Sequence, residues 1–392
     1  MAGQMAAPRI YMDWNATAPL LPEARTAMLE MLDRTGNASS VHYEGRALRA
    51  AIEAARRDIA ALCGAAPGAV ILTSGATEAA NLVLTPQFRM GRTPLRIGRL
   101  YVSAIEHPAV REGGRFAPED VVSLPVDGDG VLDLAALDAA LSSHDRASGL
   151  PMVAVMLANN ETGVLQPIAA IAARVKAAHG LLVVDAVQAA GRVPLDLPSL
   201  GADFLILSSH KIGGPKGAGA LVAAGEVLMP APLIRGGGQE RGHRSGTENP
   251  MAIAGFGAAA RHAAGEIDGR MARVAALRAT LETGMRSLAP DVEIHAAGVA
   301  RIANTSFFSL PGLKAETGHI AFDLEGIALS AGSACASGKV GRSHVLSAMG
   351  RDEGQGGLRI SIGETTSAAE IGRVLEVFGK IAARRRPAGA AA

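Results

Sequence analysis

Between Val70 and Ser208, short apolar runs alternate with helix-length segments, and this alternation limits the possible folds more than any other feature of the chain. The runs are Val70 to Thr73, Arg99 to Ser103, Val121 to Pro125, Met152 to Ala158, Leu181 to Val184 and Phe204 to Leu207. They have the length and composition of strands buried in a sheet, and Leu132 to Leu141 and Ile168 to His179 read as helices between them. Strands alternating with helices build a mostly parallel, doubly wound α/β sheet with helices on both faces. Polar residues cluster directly after these runs: Ser74–Thr77, Glu106–His107, Asn159–Asn160, Asp185–Gln188 and Ser208–Lys211. In a parallel sheet those ends share one edge, the edge at which open α/β folds bind ligands. A helix cap or a turn explains any one cluster; five together point to one site.

The flanks differ. Ile10 to Pro19 is a short extended piece, and Pro22 to Asp33 and Tyr43 to Leu62 read as helices. In the second, Leu48, Ile52, Ala55, Ile59 and Leu62 recur on one face, and Cys63 closes it as a small core residue. Downstream, 254–264, 267–288, 320–324 and 368–383 are helical. Val292–His295, Asn304–Leu310, Ile327–Ser330 and Leu358–Ile362 are strands, the pattern of a smaller α+β domain. With 392 residues the chain has room for two or three domains and a large core. Its formal charge of +1 gives no reason to expect direct nucleic-acid binding or an anionic membrane. Met1 to Ile10 lacks the apolar core of a signal peptide, and no apolar run approaches the length of a membrane span. A cytoplasmic enzyme is the expectation. Cys63 and Cys335, the two cysteines, offer neither metal-ligand spacing nor a disulfide framework.

Lys211 stands out because the chain avoids lysine. Of 38 cationic residues only Lys176, Lys211, Lys216, Lys314, Lys339 and Lys380 are lysines. A lone loop lysine is ordinarily a solvated charge, but a lysine, unlike arginine, can form a Schiff base. The strand-end clusters add a carboxylate, an amide, an imidazole and a hydroxyl-bearing helix N-terminus suited to phosphate. Pyridoxal phosphate requires such a set: an amine for the Schiff base, an acid for the pyridine nitrogen and a phosphate cradle. A nucleotide P-loop needs Gly-x-x-x-x-Gly-Lys followed by Ser or Thr, which Lys211-Ile-Gly-Gly-Pro-Lys-Gly-Ala218 does not supply.

More specific motifs follow. Asp185-Ala-Val-Gln188, then Ser208-Ser-His210-Lys211 with Gly-Pro-Lys-Gly217, resembles the cofactor core of the class V aminotransferase-like enzymes of PLP fold type I. Gly236-Gly-Gly-Gln-Glu-Arg-Gly-His-Arg-Ser-Gly-Thr-Glu-Asn249 is similar to the glycine-rich segment of the cysteine desulfurases. Ser330-Ala-Gly-Ser-Ala-Cys335-Ala-Ser-Gly338 resembles the active-cysteine segment of their NifS/IscS-like branch. Asp13-Trp-Asn-Ala-Thr-Ala-Pro19, Thr73-Ser-Gly-Ala-Thr-Glu78 and Asn159-Asn-Glu-Thr-Gly163 fall in the same family order, so the likeness runs from about Tyr11 to Ile381.

The resemblance implies a large PLP-binding domain over residues 21–266. A small domain would consist of residues 1–20 and 267–392 and carry the active-cysteine loop at about 332–342. It implies that Lys211 holds the cofactor, Asp185 pairs with its ring nitrogen and Gln188 reaches its phenolate oxygen. His107 would stack on the ring and take part in proton transfer. Ala76, Thr77, Ser208 and His210 would hold the phosphate, with Thr247 supplied by the neighbouring subunit of a homodimer. Asn160 and Arg359 would receive the substrate carboxylate, a bidentate task that suits a planar guanidinium. The implied reaction removes sulfur from L-cysteine, leaving L-alanine and a persulfide on Cys335. Only a thiolate is competent, and Lys339, Arg342 and His344 are the candidates for lowering its pKa. The sulfur would pass to an acceptor protein: an iron–sulfur scaffold, a tRNA-thiolation protein or a molybdenum-cofactor sulfuration partner. No resident metal is implied, although Cys335 could contact a transferred iron–sulfur cluster. A selenocysteine lyase, or another class V PLP enzyme, is the alternative. The chain departs from the family pattern at Ser209 and at Glu364, where the electrostatics near Arg359 are expected to change. It also ends without the longer tail by which housekeeping members dock their scaffold.

Overall fold

The structure is a computed structural model and describes residues 9–332, 343–351 and 356–385. The strands in chain order are β1 (Ile10–Tyr11), β2 (Val70–Thr73), β3 (Gln87–Met90), β4 (Thr93–Ser103) and β5 (Val121–Leu124). β6 (Leu150–Met156), β7 (Leu181–Asp185), β8 (Phe204–Ser208), β9 (Gly219–Ala223) and β10 (Leu228–Pro230) follow. The last are β11 (Glu293–Ile294), β12 (Thr305–Ser309), β13 (Ile327–Ala328), β14 (Ser330–Ala331) and β15 (Leu358–Ser361).

A nine-stranded sheet runs β10-β3-β4-β6-β7-β8-β9-β2, with β5 added beside β4. Its centre is parallel, pairing β4 with β5 and β6, β6 with β7, and β7 with β8. Every residue of β7 and β8 is buried, as apolar runs covered on both faces require. The margins are antiparallel: β9 runs against both β8 and β2, and β3 against β4 and β10. Two reversals leave β2 pointing the same way as β8. The C-terminal ends of β2, β4, β6, β7 and β8 therefore lie on one edge.

A four-stranded antiparallel sheet, β11-β12-β15-β14, packs against the helices Ile267–Leu288 and Ala368–Arg384 around Phe308, Phe322 and Phe378. The second helix opens with a capping box. Ser367 Oγ accepts from Glu370 N–H, and the Glu370 carboxylate accepts from Ser367 N–H. The N-terminal arm is tied to this sheet. Asp13 bridges Ser361 of β15, Trp14 N–H donates to Ser361 O, and Trp14 lies over Gly363, while β1 pairs in parallel with β13 in a separate two-stranded sheet. A Cβ on Gly363 would come within 2.1 Å of the indole, so only glycine fits there. From that anchorage the arm turns back across the edge of the large sheet.

The glycine-rich segment 236–249 is fixed through Glu240. Its buried carboxylate accepts two hydrogen bonds from Arg56, at 2.6 and 2.7 Å, and one from Leu72 N–H at 2.9 Å. A paired, fully hydrogen-bonded charge is the form in which a carboxylate tolerates burial. Cys63 is fully buried at the end of Tyr43–Leu62, and burial pushes its thiol up to about 12.

Candidate active site

The five strand-end clusters surround one cavity of about 410 Å³. Ala76, Thr77, His107, Asn160, Asp185, Gln188, Ser208, His210, Lys211 and Arg359 all line it. Thr247 does not; it is exposed in the 236–249 segment. Cys335, Lys339 and Arg342 lie outside the described residues.

Lys211 follows β8 in a single 3-10 turn, Ser209–Lys211. Its Nζ donates to Asn15 O at 2.6 Å and to Ala16 O at 2.9 Å, so the N-terminal arm supplies carbonyls that hold the amine over the sheet edge. Asp185 ends β7. Its carboxylate accepts from Val187 N–H at 2.9 Å, yet burial raises its pKa to about 6 against the pull of that hydrogen bond and of Lys211. A cation brought against this carboxylate would offset the cost of its burial. Gln188 is locked from both sides: Nε2 donates to Asn15 O at 2.9 Å, and Oε1 accepts from the buried Arg192 at 2.7 Å.

His107 is held low, at about 4, by burial and then by the charges of Lys211, His344 and Arg111. Its Nδ1 accepts from Ala109 N–H at 3.1 Å, so the neutral ring carries its proton on Nε2. His210 is likewise held at about 4 by burial and then by Lys211 and Lys216. Thr17 gives its hydroxyl proton to Ala16 O at 2.8 Å, which makes His210 Nδ1, 3.0 Å away, the donor to Thr17. A phosphate beside His210 would draw a second proton onto Nε2.

The turn after β2 starts the helix Ala76–Val83, and no side chain caps it. Ser74 and Thr77 therefore do not close this helix; they line the cavity with its first-turn backbone. Arg359, on β15 and almost wholly buried, reaches the cavity from the small sheet. It donates to Asn160 O at 2.8 Å and to Asp13 Oδ1 at 2.7 Å. Glu364 accepts from His262 and Arg270 at 3.0 and 3.1 Å, so its charge is spent there and not on Arg359. His344 donates through Nε2 to Glu106 O at 3.0 Å, with burial holding its pKa down.

Asn15, Thr17 and Arg192 carry structural duties that the sequence did not single out. Asn15 is fully buried. Its Nδ2 donates to Thr305 Oγ1 and to Asn160 O, and its Oδ1 accepts from Asn304 Nδ2 at 2.9 Å. The arm motif Asp13-Trp-Asn-Ala-Thr17 was the only signal for it, and nothing in that motif says which strand ends the arm crosses.

Fold and site together define a fold-type I α/β protein with an amine, a buried acid and two neutral imidazoles at the edge of a parallel sheet. The profile of the family "Aminotransferase class-V" matches residues 10–374. A cysteine desulfurase of Cereibacter sphaeroides is 41% identical over 385 residues, covering 95% of each chain. An IscS-like cysteine desulfurase of Mycobacterium tuberculosis is 38% identical, covering 97% of this chain and 98% of its own. The NifS-like protein of Rickettsia africae superposes with a TM-score of 0.85 at 34% identity, covering 95% of this chain and 99% of the other. The chain belongs to the class-V aminotransferase family, on its cysteine desulfurase branch.

Proposed function

We propose that this cavity holds pyridoxal phosphate and that the protein is a desulfurase acting on L-cysteine, with Cys335 as sulfur carrier. The observation that supports the reading most is the meeting of Lys211 and Asp185 in one cavity. They come from successive strands, and the Lys211 charge acts on both Asp185 and His107. The donor set fits the cofactor. Lys211 Nζ would bind its carbonyl carbon, Asp185 its protonated ring nitrogen and Gln188 its phenolate oxygen. The first turn of Ala76–Val83, Ser208 and His210 would take its phosphate, completed by Thr247 from a second copy of the chain.

When bound, the cofactor supplies an electron sink for the charge that develops at the substrate Cα. Arg359, with Asn160, receives the substrate carboxylate and orients it. Lys211, whose Nζ lies in the same cavity, would move the Cα proton. His107, neutral and with Nε2 protonated, would hold or pass a proton in this cavity. Asp185 would keep a proton on the ring nitrogen of the bound cofactor. The Cys335 thiolate attacks the substrate sulfur; the carbon–sulfur bond breaks, a sulfur–sulfur bond forms, and the carbon gains a proton to give L-alanine. The sulfur then passes to an acceptor protein that builds iron–sulfur clusters or another sulfur-containing product. Among the described residues no helix is long and apolar enough to cross a membrane.

Incubation of the holoenzyme with L-cysteine and a thiol reductant is expected to give alanine and sulfide in equal amounts, measured by amino-acid analysis and sulfide assay. An oxo acid in place of alanine would support an aminotransferase. Activity with L-selenocysteine but not with L-cysteine would support a selenocysteine lyase.

A further inference from the structure

Gln188 stands between two neighbours that each work in one direction only. Asn15 O can only accept, and it takes a hydrogen bond from Gln188 Nε2 at 2.9 Å. The Arg192 guanidinium can only donate, and its Nη1 gives hydrogen bonds to Gln188 Oε1 and to Gln188 O, both at 2.7 Å. The amide therefore has one orientation. Its oxygen is turned to Arg192, and the second N–H of Nε2 is what remains for the cavity that Gln188 lines.

Arg192 reaches both halves of the site. It follows Gln188 by four residues, and its Nη2 approaches Lys211 O at 3.5 Å. It is buried, and among the described residues it donates only to neutral oxygens. Glu364, which lines the same pocket beside it, is already paired with His262 and Arg270. Burial and then the charge of Arg359 lower the pKa of Arg192 to about 10, which leaves it cationic at neutral pH. A buried cation without a carboxylate costs free energy unless an anion comes near it. Gln188 carries the effect of that charge to the cavity, since an amide whose oxygen accepts from a cation donates more strongly through its N–H.

We propose that Arg192 is a positioning residue that fixes Gln188 as a charge-backed hydrogen-bond donor and so selects for an anionic oxygen on the bound ring, the phenolate of the cofactor. This rests on the reading above, in which the cavity holds pyridoxal phosphate and Gln188 reaches that oxygen. Arg192 does not itself line the cavity and acts through the amide.

The test compares pyridoxal phosphate with 3-deoxypyridoxal phosphate, which lacks the phenolic oxygen, by equilibrium dialysis against the full chain stripped of cofactor. Arg192→Met is expected to bind pyridoxal phosphate about fivefold or more weakly, the scale of a hydrogen bond to a charged group, and the deoxy compound within about twofold of wild type. A misfolded protein or a merely loosened site would lose both. Arg192→Lys keeps a cation, and one ammonium has donors enough for the two oxygens that Nη1 serves, so it is expected to bind both compounds within about threefold of wild type. Gln188→Glu, whose carboxylate can pair with Arg192 but offers no N–H, is expected to show the same selective loss as Arg192→Met. The visible band of bound pyridoxal phosphate is expected to shift in Arg192→Met and in Gln188→Glu, and to stay in place in Arg192→Lys. Wild-type binding of both compounds by Arg192→Met, or an equal loss of both, would overturn the proposal. A wild type that binds the two compounds equally well would overturn it while leaving the cofactor reading intact. A wild type that binds no pyridoxal phosphate would overturn the cofactor reading, and this proposal with it.

Discussion

Replacement of Lys211 by alanine is expected to lower alanine release from L-cysteine by about 10⁴-fold or more and to abolish retention of the cofactor through gel filtration. Two separate duties end with one side chain. The amine that would bind the cofactor covalently is gone, and so is the group that would move the Cα proton. Lys216 also lines the cavity, but Lys211 is the one whose Nζ the N-terminal arm holds against Asn15 O and Ala16 O. Lys211→Arg is expected to fail equally, since a guanidinium keeps the charge and cannot form the imine. Absorbance of the desalted protein and alanine quantification check both variants. Substantial activity in Lys211→Ala would shift the role to Lys216.

Cys335→Ala is expected to behave in the opposite way with respect to the cofactor. The visible band stays, because no described residue of the cavity is altered, while alanine release falls by about a hundredfold or more. Cys63 cannot take over. It is fully buried at the end of Tyr43–Leu62, and its thiol, pushed up to about 12, gives no useful thiolate at neutral pH. The spectrum and the alanine assay on one sample separate the two effects. A variant that loses the band as well would place Cys335 in cofactor binding instead.

The strand ends were legible because buried strands declare themselves. Runs of leucine and β-branched residues, such as Leu181-Leu-Val-Val184, are what a sheet covered on both faces demands, and each ends in a conspicuous polar cluster. The edge strands were not legible. In β3, Gln87-Phe-Arg-Met90, only Phe88 is buried, so no apolar pattern marks it, and β10 pairs with it at the same margin. The apolar run of β4 starts near Arg99, whereas the strand itself begins at Thr93, where residues facing solvent hide it. The N-terminal arm was visible only as a motif. Its backbone carbonyls do the holding: Asn15 O serves both Lys211 and Gln188, and a carbonyl looks the same at every position of a sequence. Arg192 escaped for a related reason. It lies four residues beyond Gln188, on the next turn of backbone, and only the fold turns it back to clamp that amide. Glu364 looked like a perturbation of Arg359, but the helix Pro250–Ala264 brings His262 to it, and Arg270 completes the group.

If the site works as proposed, sulfur leaves L-cysteine and arrives on one side chain of this protein. Peptide mass mapping under non-reducing conditions, after a brief pulse of L-cysteine to the holoenzyme, tests this directly. The expected result is the mass of one added sulfur atom on the peptide carrying Cys335 and none on the peptide carrying Cys63. Alanine formed with no protein-bound sulfur, or sulfur found on Cys63, would contradict it.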